Sequence, residues 1–106
     1  MSTRARERVR NLSDATRYRL QPSDPCILDR NPQRPYFVVG VLGGDELEIV
    51  AFAAIRDRAL VDPDGFEDIL DAVNDGRLST VRCPRERALP LPLAMAREID
   101  RDEVRR

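Results

Sequence analysis

Histidine is missing from this 106-residue chain, and so are lysine and tryptophan. Without histidine, Ser-His-Asp and Cys-His nucleophilic sites cannot form, and the commonest general base is gone. Two cysteines alone cannot complete a tetrahedral structural zinc site. Without lysine there is no phosphate-gripping residue for a Walker-type loop. The glycines of "GVLGG" fit neither that loop nor a dinucleotide fingerprint. The aromatic residues are only three Phe and two Tyr, which predicts a thin core. No apolar run approaches the roughly 20 residues that span a bilayer. The basic N-terminus lacks the apolar stretch of a signal peptide. These absences predict a cytoplasmic protein with no membrane partner and no cofactor, in which Cys26 and Cys83 are free thiols.

What is present fits one small domain over residues 1–106, with 42% apolar and 35% charged residues. All eighteen cationic side chains are arginine. Such uniform usage reads as coding bias, so position carries more information than count. The net charge of −1 conceals three blocks. Residues 1–40 hold eight Arg against four acids, or +4. Residues 41–76 hold two Arg against ten acids, or −8. Residues 77–106 hold eight Arg against five acids, or +3. The basic ends can lie on the acidic middle of the same molecule or meet that of another.

Along the chain, residues 1–20 read as a basic helical segment. Ala5, Val9 and Leu12 share one face, and arginines cover the others. "LSDATRYRL" (12–20) resembles the opening helix of small winged-helix repressors. The "QPSDP" that follows breaks the chain where that family requires another helix, and the family is not adopted. Prolines 22, 25, 32 and 35 mark an irregular connection, with 26–28 a candidate edge strand. "PYFVVGVLG" (35–43) predicts a central strand covered on both faces.

Residues 45–60 are ambiguous. The hairpin reading puts Leu47, Ile49 and Ala51 on one face after a Gly-rich turn. The helical reading uses an Asp45/Glu48 capping box. We favour the hairpin. "DPDGFEDILDAVNDG" (62–76) is the best helix, with Asp64 as cap, Glu67 closing a capping box and Gly76 as the left-handed C′ residue. Residues 77–83 suggest another strand. Residues 84–92 read as an extended connection, and 92–104 as a last helix with Leu93, Ala96 and Ile99 inward. The expected fold is α+β: a small, mainly antiparallel sheet of about three strands covered by two or three helices.

Chemistry is sparsely signalled. An EF-hand alignment on Gly76 places Val73 and Arg82 at ligand positions, so that loop is rejected. Asp62 and Asp64 are better read as cap residues than as a cation site. A Cys-x5-Arg phosphatase loop at Cys83 fails because residue 89 is leucine. The cations Arg82, Arg85 and Arg87 beside Cys83 would lower a thiol pKa and make a redox-sensitive site, but Cys83 is better read as a half-buried strand-end cysteine and Cys26 as core. Acid–base catalysis by carboxylates alone stays formally open, but no pair stands out. The expectation is therefore a non-enzymatic adaptor, regulator or assembly subunit that binds a protein partner or itself. Its candidate contacts are Glu67, Asp68, Asp71 and Asp75 on one helix face, with Arg4, Arg8 and Arg10. The alternative is a nucleic-acid-associated protein gripping phosphates through Arg4, Arg6, Arg8, Arg10, Arg17 and Arg19.

Overall fold

A computed structural model describes residues 20–29, 31–43, 45–60 and 65–105. The basic segment 1–19, with its six candidate arginines, lies outside the described residues, as do Asp62 and Asp64. Five strands form one antiparallel sheet: β1 (Pro25–Leu28), β2 (Asn31–Leu42), β3 (Glu46–Ala51), β4 (Val81–Pro84) and β5 (Ala88–Pro90). Among the described residues three helices accompany it: α1 (Phe52–Asp57), α2 (Phe66–Asn74) and α3 (Leu93–Arg105). The α+β class and antiparallel sheet agree with the sequence reading, but the strand number is five rather than three. The candidate at 26–28 is a strand, but an interior one between β2 and β5 rather than an edge, and residues 31–35, read as an irregular connection, belong to β2 because they pair with β1. Ala88–Pro90, expected to be an extended connection, is also a strand. Three residues are too few to show periodicity, and only pairing with β1 defines them.

The spatial order is β4-β3-β2-β1-β5. Laid flat, the outer strands would stand about 19 Å apart, four gaps of about 4.8 Å. A single 3-10 turn, Arg85–Arg87, joins them. Even fully extended, the four steps from Pro84 to Ala88 reach only about 14 Å, and a 3-10 rise shortens that to about 8 Å. The sheet must therefore curl until its two edges approach. The turn is fastened to both hairpins. The Arg85 N–H donates to the Asp45 carbonyl at 2.7 Å, and the Asp29 N–H donates to the Arg87 carbonyl at 3.1 Å.

Alternation along the strands feeds two cores. Cys26, Val38, Leu47, Ile49, Cys83 and Ala88 form the enclosed face, with Leu20 packed among them. Both edge strands contribute to this cluster, which identifies it as the inside of the curl. Ile27, Phe37, Val39 and Val50 point the other way, against Phe52 and Ile55, Ile69 and Ala72, and Ala96 of the three helices. As expected, β2 is central and covered on both faces.

The ambiguous 45–60 segment is both things in turn, a strand to Ala51 and a helix from Phe52. Phe37 is the junction. Its ring meets Phe52 edge-on at 5.8 Å and Phe66 at 5.7 Å. All three phenylalanines of the chain thus converge, and α1 and α2 each begin on the same strand residue. One correction concerns the start of α2. Gly65 is its N-cap, with no side-chain cap bond, so the cap falls one residue after the expected Asp64, which lies outside the described residues. In α3, Leu93, Ala96 and Ile99 do pack inward, and the Pro92 carbonyl accepts the first helical bond from Ala96. Among the described residues no helix is long and apolar enough to cross a membrane.

Candidate interaction surface

Helix α2 docks through Ile69 and Ala72, with Phe66, Leu70 and Val73 packed beside them. That spacing consigns Glu67, Asp68, Asp71 and Asp75 to an arc of about 100° on the opposite side, about 12 Å long. All four are exposed. Glu67 and Asp68 lie in the first turn, where the helix dipole favours negative charge. Asp75 is the C-cap, where the dipole disfavours it, and Arg77 offsets this with a 3.1 Å ion pair. Glu67 faces Asp71, and Asp71 faces Asp75, each at the i,i+4 spacing where like charges repel by about 0.2–0.5 kcal/mol.

Elsewhere five of the described arginines bond within their own molecule. Arg56 meets Asp100 at 2.6 Å, tying α1 to α3. Arg87 meets Asp29 at 3.2 Å, and Arg82 lies 3.8 Å from Glu46. Arg58 donates through Nε to the Arg77 carbonyl at 2.6 Å. Arg85 reaches across the fold to the Leu20 carbonyl at 2.9 Å. Among the described residues no ion pair reaches Glu67, Asp68 or Asp71. Glu46 and Asp75 are balanced locally, and among the described residues no ion pair balances Glu67, Asp68 or Asp71.

Comparison with protein-family models, curated proteins and solved structures finds no match to this chain. The reading of its surface rests on its own geometry.

Cys83 lies near the end of β4, in keeping with a strand-end cysteine rather than a stabilised thiolate. It is 4% exposed inside the curl, and burial pushes its pKa up. Arg87 pulls the other way without prevailing, while Asp29 and Glu46 reinforce the rise. Arg82 and Arg85 are directed to Glu46 and Leu20 rather than to sulfur. The Cys83 thiol donates to the Pro84 carbonyl at 3.2 Å. Cys26 is wholly buried, and its pKa is pushed far up by burial, with Cys83 and Asp24 adding to it. Among the described residues no group of three His, Cys, Asp or Glu side chains is placed to hold a metal ion.

Sequence reasoning placed Arg85 beside Cys83 and missed its bond to Leu20. Each looks ordinary alone, an arginine among many and a leucine before a proline-rich stretch. Their role appears only when the 3-10 turn and the chain entering β1 come together. The exposed Val41 (46%) and Val81 (56%) were likewise not singled out. They sit at opposite corners of the enclosed face, opposite Leu47 and Ile49 in the ladders.

Proposed function

We propose that this chain is a non-enzymatic protein-interaction module. It presents the α2 stripe of Glu67, Asp68, Asp71 and Asp75 to a cationic protein surface. The observation that carries the reading is the bare charge on α2. Asp29 and Glu46 meet arginines, whereas Glu67, Asp68 and Asp71 crowd one helix face with no cation supplied by the described residues. A complementary partner relieves that repulsion and gains steering at low salt. The arginines of a second copy are one such partner.

Asp71→Lys tests this directly. Capture of a partner from the native host, or self-association followed by light scattering, should weaken with rising salt and disappear in the variant. A complex that survives both Asp71→Lys and high salt removes the stripe from the function. Retention on DNA or RNA that survives Asp71→Lys, but is lost when Arg4, Arg8 and Arg10 become Glu, moves the function to the N-terminal arginines.

A further inference from the structure

We draw no further inference here: the strongest candidate, the pair of thiols Cys26 and Cys83 enclosed by the curled sheet, is walled in by apolar side chains with no third metal-ligating group beside it among the described residues, and nothing in the structure shows what would reach it.

Discussion

Ala59 adopts a left-handed φ of 54° just past the end of α1. Its N–H bonds to the Arg56 carbonyl at 2.9 Å, and the Leu60 N–H bonds to Ile55 at 3.2 Å. This is a Schellman cap with alanine where glycine is preferred. Helix α2 ends the same way. Gly76 (φ 82°) bonds to Val73 and Arg77 bonds to Ala72, at 3.1 and 2.8 Å. A Cβ added at Gly76 would meet nothing within 4 Å, so only backbone conformation penalises a side chain there. The two sites form a matched experiment. Ala59→Gly should stabilise the fold by about 0.5–1 kcal/mol, and Gly76→Ala should destabilise it by a similar amount. Urea denaturation of both variants checks the pair, and equal signs would refute it. Ser23 (φ 82°) repeats the theme at the third position of the turn Gln21-Pro22-Ser23-Asp24, closed by the Asp24 N–H on the Gln21 carbonyl at 3.1 Å. Proline second and a positive φ third define a type II turn, and glycine is the favoured third residue.

At the scale of elements, two features set the stability of the helical layer. The first is the phenylalanine junction. Phe37 is 1% exposed and touches the first residue of both α1 and α2. Phe37→Ala should cost about 3–5 kcal/mol. Circular dichroism should then show helix loss well below the wild-type denaturation midpoint. A drop under 1 kcal/mol would mean that the helices hold to the sheet without this ring. The second is the repulsion along α2. Asp71→Lys replaces two like-charge i,i+4 pairs by two attractive ones. It should raise stability by up to about 1 kcal/mol while abolishing partner binding. Gain of stability with loss of binding separates a contact surface from a folding determinant, because a purely structural stripe would not show opposite signs. The sheet edges themselves make poor docking strips. Both edge strands are short, and each carries a proline, Pro84 in β4 and Pro90 in β5.

For the whole molecule, the curl places both thiols in one closed interior. Opening it means parting two edges held together through the 3-10 turn. Labelling of Cys26 by a thiol reagent should therefore depend on denaturant with the same slope as global unfolding. Rapid labelling in water would show that the edges part on their own. The same burial gives a sign for alkaline pH. The folded-state pKa of Cys26 is raised above its ordinary value of 9.0, so the folded state holds a proton that the unfolded chain releases. Stability from this group is complete below about pH 9. It falls as pH rises further, by up to about 1.4 kcal/mol per pH unit. Subtracting the pH profile of a Cys26→Ala variant isolates the effect. An unchanged alkaline slope in that variant would assign the loss to other groups.

Local chemistry settled much of this fold. "PYFVVGVLG" has the β-branched content and lack of charge that a buried central strand needs, and β2 is that strand. The spacing of Phe66, Ile69, Leu70 and Val73 selected the face of α2 that docks, and so fixed where its acids would stand. Gly76 marked the end of α2 because glycine is the residue that tolerates a left-handed φ. The same logic overlooked Ala59, which takes the left-handed position just before Leu60 packs against the core. Residues 45–60 carried strand and helix signals together, and the break at Phe52 was decided by where Phe37 lay. Nor could the sequence reveal that "VRCPRERALP" supplies both edges of one sheet, since three- and four-residue strands are defined by their partners. The thiol beside three arginines shows the same division. Sequence proximity offered a stabilised thiolate as the lesser alternative to a half-buried cysteine. Tertiary structure turned Arg82 and Arg85 elsewhere and withdrew the sulfur from water, and desolvation outweighed the remaining charge. Sequence determined the elements, their apolar faces and the acids on α2, because those depend on neighbours along the chain. Curling, burial and the choice of ion-pair partners depend on distances across it, and only the folded molecule set them.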